Sequence, residues 1–494
     1  MLSPIPALSD YGISPKHGFL PPETPLDVLP VAYYASWEAI VSNLQALLLS
    51  RRLRQAIDRL PILSTSYLQE DSEWRRAYVV LVFMLHGYVW GDDKPAERVP
   101  PALTIPLLEV CDFLELPPVA TYAAVCLWNY KPIFPAEPAD DLDNLCCINT
   151  FTGSSDEQWF YLVSVVIEAR GGPTIPLMLR AIAAARVGNS RLLTECLQIF
   201  AERLDEIVSL LERVYEHCDP YIFYHRIRPF LAGSRDMGDA GLPNGLIYND
   251  GTGKQEYRQY EGGSNAQSSL IQFFDIVLGI EHRPTGVARN INSRNESGLL
   301  ASNPRRNFIQ EMRHYMPGPH RRFLEHVSRV ANIREYVAYH SSDKALCVAY
   351  EACLAMLRVL RDKHIQIVSR YIVVQSRESR SQSQSLGPHV NQNAINLASV
   401  KNTNTSGGRA ASKKLRGTGG TALIPFLKQA RDETGEPAVN AWARRLLSGG
   451  PTDASSFAPL GKIDEHADGQ VERTGIWMND SEGGILTDRQ VDWE

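Results

Sequence analysis

The most regular pattern of apolar positions in the chain lies between Lys344 and Val374. Apolar residues recur there in alternating steps of four and three, which keeps them on one face of a helix, and neither Gly nor Pro interrupts the stretch. The stripe consists of Leu346, Tyr350, Cys353, Leu357, Leu360, His364, Ile367 and Tyr371. A histidine therefore stands where the pattern requires a core residue.

A histidine in a dry interior needs a partner for each ring nitrogen. One interpretation assigns one nitrogen of His364 to a metal and the other to a hydrogen-bond acceptor that orients the ring. The alternative is a core histidine that is hydrogen-bonded to protein on both sides, which is the commoner arrangement for a lone histidine. The stripe alone favours this second interpretation.

Helical periodicity also dominates the rest of the chain, and the strict alternation that is typical of strands is rare. The stretches with a helical period are Tyr34 to Asp58, Glu73 to Trp90, Thr104 to Leu114, Val119 to Trp128, Asp156 to Ala169, Thr174 to Val187, Ser190 to His217, Pro220 to Leu231 and Ala266 to Leu278. The pattern predicts an all-α protein.

Changes in composition divide this helical chain. We expect a small helical N-terminal domain over residues 1–150 and a larger helical domain over residues 151–448, followed by an acidic disordered tail, 449–494. Two polar segments interrupt the larger domain, and we interpret 283–306 as an insertion and 376–416 as a mobile loop. Their compositions, like that of the tail, cannot bury enough apolar surface to fold alone.

Composition and charge describe a soluble globular protein, with 44% hydrophobic and 21% charged residues. The net charge of -6 is concentrated in the tail, which carries ten acidic and three basic residues, so the rest of the chain is close to neutral. Near-neutral charge argues against a nucleic-acid binder. The longest apolar run, Ala77 to Leu85, is too short to cross a bilayer, and we expect no signal peptide because residues 1–20 lack a charged region followed by an apolar stretch. We expect a cytoplasmic protein without a nucleic-acid or membrane partner.

Two segments in the first half of the larger domain carry candidate chemistry. Phe160, Ser164 and Glu168 share one helical face by their spacing of four residues, although a serine inside a helix often bonds only to a backbone carbonyl. Arg228 follows the aromatic Phe223 by five residues in an apolar helix. Its planar guanidinium can hold a carboxylate, but a solvated or salt-bridged arginine is the commoner case.

A glycine turn and the histidine segment complete the set. Residues 261–269 form a turn with free amides that suit a polar or anionic group, or else an ordinary N-cap. This turn opens the helix that carries Asp275. The fourth segment, residues 361–371, contains Arg361 and His364.

Taken together and in this order, the segments resemble the indoleamine 2,3-dioxygenase family, haem enzymes that open the indole ring of tryptophan. The resemblance runs from about Tyr11 to Leu447, and the long polar insertions and acidic tail look most like its fungal branch. Six ordered blocks carry it: FYLVSVVIEA from Phe160, the helix with Phe223 and Arg228, GGSNAQSS with FFDIVLGI, Arg313 to Pro317 followed by His320 to Phe323, the His364 segment, and Gly417 to Thr421.

The resemblance implies a haem b whose iron is bound by His364. Asp275 corresponds to the family's carboxylate behind this histidine, where it would fix the tautomer and raise the basicity of the ligand. Arg361 corresponds to the arginine that approaches a haem propionate, and Glu168 is expected beside Arg361.

On the opposite side of the haem, the resemblance implies a pocket for L-tryptophan and dioxygen. The residues expected around the indole are Tyr122, Val125, Phe160 and Ser164, with Phe223 packed on the substrate ring and Arg228 bound to the carboxylate. Gly262, Gly263 and Ser264 would form a turn that closes the pocket. Thr418 to Thr421 would form the edge of the mobile loop. The implied product is N-formylkynurenine, the first step of the kynurenine pathway. Ser164 would orient the substrate by a hydrogen bond rather than act as a nucleophile, and the enzyme would be a monomer.

Two positions depart from the pattern of the animal enzymes. Asn265 replaces a small residue after the turn serine, and Ile271 replaces an aromatic residue on the proximal side of the haem. Two alternative functions stay open, a haem-binding sensor with little turnover and a dioxygenase of another indole. His320, which we expect at a helix start on the surface, is the next candidate for the axial ligand.

Overall fold

The computed structural model describes residues 3–137, 140–253, 256–286, 307–379 and 423–448. These residues belong to one compact unit, Met1–Gly450, and a second unit, Pro451–Glu494, lies outside them. The helices are α1 (Ala35–Ser42), α2 (Leu44–Leu49), α3 (Leu53–Ile57), α4 (Asp71–Trp90), α5 (Pro101–Leu114), α6 (Ser155–Gly171), α7 (Thr174–Arg186), α8 (Ser190–Glu212), α9 (Val214–His217), α10 (Pro220–Ile222), α11 (Ser269–Val277), α12 (Phe308–Met312), α13 (Gly318–Val330), α14 (Ile333–Tyr339), α15 (Lys344–Val368), α16 (Leu423–Glu433) and α17 (Ala441–Leu447). The all-α prediction is confirmed.

Shorter elements connect these helices. Single 3₁₀ turns occupy Leu8–Tyr11, Ala32–Tyr34, Thr65–Tyr67, Leu142–Asn144, Arg228–Leu231, Gly238–Ala240, Asn265–Gln267 and Arg313–Tyr315. Wider π-helical turns occupy Ala123–Leu127, Phe223–Ile227 and Ser369–Val374. The last of these continues α15 directly, so the helical stretch predicted from Lys344 to Val374 is confirmed, with a change of helix type at residue 369.

Five short strands were not predicted: β1 (Arg98–Val99), β2 (Tyr130–Pro132), β3 (Leu145–Cys147), β4 (Leu246–Tyr248) and β5 (Tyr257–Arg258). Antiparallel β2 and β3 pair Tyr130 with Cys147, while β4 lies between parallel β1 and antiparallel β5. Strands of two or three residues are too short to show the alternation by which a strand is recognised in a sequence.

Two large apolar clusters make up most of the core of the described residues. The first surrounds α4, in which every residue from Ala77 to Val89 is buried, as expected for a helix that is apolar on all sides. The second surrounds α8 and α15, which pack along each other. The predicted domain boundary at residue 150 stays a prediction.

α15 forms as its stripe predicted. The Asp343 carboxylate accepts a hydrogen bond from the backbone N–H of Leu346 at 3.1 Å and caps the helix. Of the eight residues in the stripe, seven are buried, and His364 keeps accessible surface. The histidine therefore borders open space within an otherwise packed helix face.

One helical stretch of the described residues, Ser155–Arg186, is long and apolar enough by length and composition to cross a membrane. It comprises α6 and α7, and 72% of its most apolar window is buried inside the fold, as in the core helices of a globular protein. Most of the predicted insertion 283–306 and loop 376–416, and all of the tail 449–494, lie outside the described residues.

Candidate active site

Among the described residues, two cavities meet at His364. The first, which we call the arginine cavity, has a volume of about 160 Å³. It is lined by Tyr122, Val125, Phe160, Ser164, Phe223, Arg228, Gly263, Ser264, His364 and Tyr371, among others. The second, the aspartate cavity, has a volume of about 150 Å³ and is lined by Ser268, Ile271, Asp275, Leu357, Arg361, His364 and Ala430, among others. The structure thus brings together nearly all the candidate site residues.

Aromatic rings form one wall of the arginine cavity. The ring centroids of Phe160 and Phe223 lie 4.6 Å apart, and those of Phe223 and Tyr371 lie 5.7 Å apart. Phe160 belongs to α6, whereas the other two rings come from π-helical turns. Tilted and edge-on rings at these distances form a stable apolar surface, against which a planar aromatic ligand can pack.

The three π-helical turns of the described residues each supply a side chain to this cavity, namely Val125, Phe223 and Tyr371. A π-helical turn holds one more residue than an α-helical turn and occurs frequently at functional sites. Residue spacing in the sequence does not distinguish the two kinds of turn, so this feature was not predicted.

Arg228 is a buried cation at the edge of the arginine cavity, with only 1% of its surface exposed. Its Cζ atom lies 5.7 Å from the centre of the Tyr224 ring. Burial lowers the pKa of the Arg228 guanidinium to about 10, although Tyr224 acts in the opposite direction. An anionic group in the cavity would stabilise this desolvated charge through paired hydrogen bonds.

The glycine turn is fixed against the segment that follows Arg228. The backbone N–H of Gly263 donates to the carbonyl of Leu231 at 3.1 Å, and a Cβ atom on Gly262 would lie 2.2 Å from the same carbonyl oxygen. Only glycine permits this close approach. The Gln267 side chain then joins the turn to Tyr122, because it donates to Gly262 O and accepts from Tyr122 N, both at 2.9 Å.

Glu168 lies behind the cavity wall and is completely buried. Its Oε1 atom accepts hydrogen bonds from the hydroxyls of Tyr122 at 3.1 Å and Ser268 at 2.6 Å, and its Oε2 atom has no partner among the described residues. Burial raises the pKa of Glu168 to about 7, against the effect of both hydrogen bonds. The expected pairing of Glu168 with Arg361 was wrong, since two neutral donors occupy the carboxylate.

Ser164 lies between the polar groups of this wall. The Tyr122 hydroxyl and the Cys126 thiol are polar neighbours of its hydroxyl, and Ser164 lines both cavities. No carboxylate or imidazole forms a hydrogen bond with the Ser164 hydroxyl in the described part of the chain. The hydroxyl therefore lacks the paired base that activates a serine nucleophile.

The aspartate cavity is bordered by groups that neutralise one another. Arg361 Nη2 donates to both carboxylate oxygens of Asp275, at 2.6 and 2.8 Å, and His282 Nε2 lies 3.0 Å from Asp275 Oδ2. No hydrogen bond joins Asp275 to His364 in the described part of the chain. The expected contact between Asp275 and His364 was therefore wrong. Asp275 contacts Arg361 and His282 instead, because two cations attract the carboxylate more strongly than a neutral imidazole does.

His364 has no hydrogen-bond partner among the described residues. Burial, with a smaller effect of Arg361, lowers the pKa of His364 to about 4, so its imidazole is neutral at physiological pH. A neutral imidazole that faces a cavity is the form that binds a metal. The described residues contain no group of three or more His, Cys, Asp or Glu side chains that could hold a metal ion.

A single ligand of this kind fits a metal that brings its other ligands with it, as the iron of a haem does. The apolar walls on both sides of His364 suit the faces of a macrocycle, and Arg361 borders the aspartate cavity, where a propionate would need a cation. The residues present therefore fit a haem held by one axial histidine.

His320 was expected on the surface, but it is buried near the start of α13. Its ring packs against Phe19 at a centroid distance of 4.9 Å and its Nδ1 atom lies 3.4 Å from the Ser269 hydroxyl. It lines neither of the two cavities. The apolar partners explain why His320 is buried. Because His320 does not line either cavity, His364 is the histidine of the site.

α16 was not predicted from the sequence. Phe426 and Leu427 line both cavities, and Ala430 lines the aspartate cavity. His282 and Glu433, which surround Asp275, were also missed. A histidine directly after the Gly–Ile–Glu sequence at the end of α11 carries no spacing signal, and its partner lies 151 residues away. Thr418 and Thr421 lie outside the described residues.

Comparison with known proteins agrees with this geometry. The family model described as indoleamine 2,3-dioxygenase matches residues 7–437. An indoleamine 2,3-dioxygenase of Saccharomyces cerevisiae is 40% identical over 448 residues, which cover 88% of this chain and 94% of the relative. A 6-hydroxytryptophan 2,3-dioxygenase of Fusarium equiseti is 38% identical over 86% of this chain and 96% of its own length. Indoleamine 2,3-dioxygenase 2 of Homo sapiens is 33% identical over 88% and 96%.

Proposed function

The chain belongs to the indoleamine 2,3-dioxygenase family, and on this premise we propose that it opens the indole ring of L-tryptophan with both atoms of dioxygen. The proposed product is N-formylkynurenine, and the proposed cofactor is a haem b bound by His364. Membership of the family makes the chain an oxidoreductase of the dioxygenase class. We further propose a cytoplasmic monomer that carries out the first step of the kynurenine pathway.

The observation that carries this proposal is the position of the His364 imidazole on the boundary of two cavities, without a protein hydrogen-bond partner among the described residues. Bound haem would supply ferrous iron for the activation of dioxygen. His364 would hold the iron from the aspartate side, and Arg361 would face a propionate.

Substrate binding is then the task of the arginine cavity. The planar guanidinium of Arg228 would hold the amino-acid carboxylate by two hydrogen bonds. The rings of Phe160 and Phe223 would pack on the indole, and the Ser164 hydroxyl would orient it. A dry cavity strengthens each of these polar contacts and keeps water away from the reacting atoms.

The polar groups at this cavity do not suit general-base chemistry. Arg228, Ser164 and Tyr122 are proton donors at neutral pH, and the carboxylate of Glu168 lies behind the wall and does not line the cavity. A ring-opening reaction with dioxygen needs no strong base from the protein, which is consistent with this set of side chains.

A dioxygenase of another indole is the first alternative. The relative from Fusarium equiseti is named for 6-hydroxytryptophan, and Asn265 brings a polar amide to both cavities of this chain. A hydroxylated indole could bond to that amide. L-Tryptophan and 6-hydroxytryptophan share the carboxylate, so Arg228 favours both over tryptamine.

A haem-binding sensor with little turnover is the second alternative. A sensor of a gas or of haem itself has no need of a buried arginine beside an aromatic wall. Arg228 lies there at 1% exposure, so the arginine cavity favours an enzyme that binds an amino acid.

The test is turnover by the haem-loaded full chain. The protein is loaded with haemin, reduced without oxygen, and mixed with dioxygen and one of three substrates: L-tryptophan, 6-hydroxytryptophan or tryptamine. We expect N-formylkynurenine from L-tryptophan and the highest kcat/KM for a substrate that carries the carboxylate. A normal haem spectrum without any product would support the sensor, and a preference for 6-hydroxytryptophan would support the other dioxygenase.

A further inference from the structure

His282 lies between two carboxylates in the interior, outside the set of residues that bind substrate or metal. Its Nε2 atom is 3.0 Å from Asp275 Oδ2, and its Nδ1 atom is 2.7 Å from Glu433 Oε2. The imidazole is 6% exposed, and the two carboxylates are 7% and 2% exposed. A neutral imidazole has one N–H group, so only the doubly protonated ring can donate to both partners.

The surrounding charges balance only when His282 is protonated. Arg361 pairs with Asp275 at 2.6 Å, and Arg283 lies 3.5 Å from Glu433 and 2.7 Å from Glu436. With the imidazolium included, three cations face three carboxylates. Burial lowers the pKa of His282, but the charge of Asp275 and the hydrogen bonds to Asp275 and Glu433 outweigh it, and the pKa is raised above its usual value.

This cluster joins elements that border the haem site from different directions. Asp275 lies on α11, Arg361 lies on α15 one turn before His364, and Glu433 is the last residue of α16. Arg361 also bonds to Thr434, directly after α16. α16 carries Phe426 and Leu427, which line both cavities. His282 is therefore connected through Glu433 to the helix that supplies part of the cavity wall.

We propose that His282 is a positioning residue for the site, and that its doubly protonated imidazole holds α16 against α11 and α15. Deprotonation removes one N–H donor and leaves one of the two carboxylates without its hydrogen bond. α16 then separates from the core at its C-terminal end, and the cavities lose their Phe426 and Leu427 wall. The position of α16 is a property of this chain, and only the effect on the cofactor rests on the proposed function.

The direction of the pH dependence follows from the charges that face this residue. The stabilising effect of His282 is complete below the pKa of a free histidine, about 6.5, and is lost as the pH rises through the raised value in the folded protein. The charged groups nearest to His282 are those named above, Asp275, Glu433, Arg361, Arg283 and Glu436. Further charges come from Arg313, which acts on Asp275, and from Glu281, which pairs with Arg334.

α16 also makes ionic contacts that do not involve His282. Arg431 pairs with Asp362 at 3.2 Å and Arg358 lies 3.4 Å from Asp432. The part of the pH dependence of α16 protection that is lost in His282→Gln therefore reports on His282.

The test is hydrogen–deuterium exchange in the full chain, with and without haemin, followed for the amides of residues 423–433. Protection factors, which correct for the intrinsic effect of pH on exchange, are compared at about pH 6 and about pH 9. We expect wild-type protection to fall by about tenfold or more at the higher pH, as for the loss of one hydrogen bond to a charged group. His282→Gln, which cannot donate to both carboxylates, should show the low value at both pH values.

His340→Gln is the matched control. His340 bonds to the carbonyl of Tyr336 on α14, away from α16, so this variant should keep the wild-type profile. If His282→Gln fails to fold, Glu433→Gln decides the question, because it weakens only one of the two contacts and should flatten the profile in the same way. Wild-type protection and pH profile in the folded His282→Gln or Glu433→Gln variant would overturn the proposal.

The exchange measurement separates this inference from the proposed function. In the haem-free chain, the pH-dependent protection of residues 423–433 requires neither cofactor nor turnover. A chain that lacks dioxygenase activity but shows the expected profile would refute the proposed function and support the role of His282. An active chain whose wild-type protection of residues 423–433 does not change with pH would support the proposed function and refute the role of His282.

Discussion

The two cavities that meet at His364 are lined by different sets of charged groups. On the aspartate side, Asp275 is enclosed by Arg361 and His282 within 3.0 Å, so each charge has its counter-charge in the protein. On the arginine side, Arg228 borders a cavity whose other walls are mainly aromatic and aliphatic, and burial disfavours its charge.

This difference distinguishes charged groups that maintain the fold from a charged group that can bind a ligand. Removal of one partner of a buried ion pair leaves an uncompensated charge and destabilises the fold. A desolvated cation at a cavity wall gains most from a charge that a ligand brings. Substitutions on the aspartate side should therefore affect stability, and those on the arginine side should affect substrate binding.

The largest expected effect belongs to the residue that both cavities share. His364→Ala should abolish the haem spectrum and reduce product formation below detection, because the site offers a single protein ligand. The measurement is the absorption spectrum after gel filtration, together with product analysis.

His320→Ala is the matched control for that change, since His320 is also buried but lines neither cavity. It should retain haem. Loss of haem in His320→Ala with retention in His364→Ala would reverse the assignment of the axial ligand.

On the aspartate side, Asp275→Asn should destabilise the fold by about 3–5 kcal/mol, because Arg361 and His282 lose their shared counter-charge. The measurement is urea denaturation of the haem-free chain. The KM for L-tryptophan of the fraction of the variant that folds should change little. Asp432→Asn, which alters a pair that is 38% exposed on its acidic side, should cost about 1 kcal/mol or less. Equal effects of the two changes would contradict the role given to the buried cluster.

On the arginine side, Arg228→Ala should raise the KM for L-tryptophan by about thirtyfold or more, since the lost buried charge pair is worth about 2–5 kcal/mol. The KM for tryptamine, which has no carboxylate, should change by about threefold or less. Steady-state kinetics with both substrates check this result. Arg226→Ala, an exposed neighbour on the same helical segment, should leave both constants unchanged, and equal changes for both substrates in Arg228→Ala would refute the carboxylate role.

The smallest expected effect concerns Glu168, which lies between the two sides. Its pKa in the folded chain is about 7, against 4.5 for an ordinary glutamate, so its ionisation destabilises the fold as the pH rises between these values. Glu168→Gln keeps the acceptor for Tyr122 and Ser268 but cannot ionise.

The free energy of unfolding should therefore fall between about pH 5 and about pH 8 by more in the wild type than in Glu168→Gln. Glu195→Gln, at a half-exposed position on α8, should follow the wild type. If the wild type and Glu168→Gln show the same pH dependence, Glu168 does not titrate in this range.

Periodicity made the fold and the central histidine predictable. The stripe on α15 placed His364 on an apolar face because a helix repeats its contacts every three or four residues, and seven of the eight stripe residues are buried. The resemblance to a family then supplied the residues of the arginine cavity, which the structure brings together around Ser164 and Phe223.

What could not be predicted depends on contacts between distant segments. His282 lies in the irregular stretch after α11, and its partner Glu433 lies on a helix 151 residues further along the chain. Asp275 was expected to contact His364, but its actual partners are set by the balance of charge in three dimensions. The π-helical turns at Val125, Phe223 and Tyr371 differ from α-helix only in how the backbone hydrogen bonds are closed, which residue types do not reveal.

We propose that this chain inserts both atoms of dioxygen into L-tryptophan at a site built on His364. A single turnover of the ferrous, haem-loaded full chain with L-tryptophan and dioxygen labelled with oxygen-18, followed by mass spectrometry of the product, tests this proposal. We expect N-formylkynurenine that carries two labelled oxygen atoms. Product with one labelled atom, or a fully reduced haem protein that consumes dioxygen without forming this product, would contradict it.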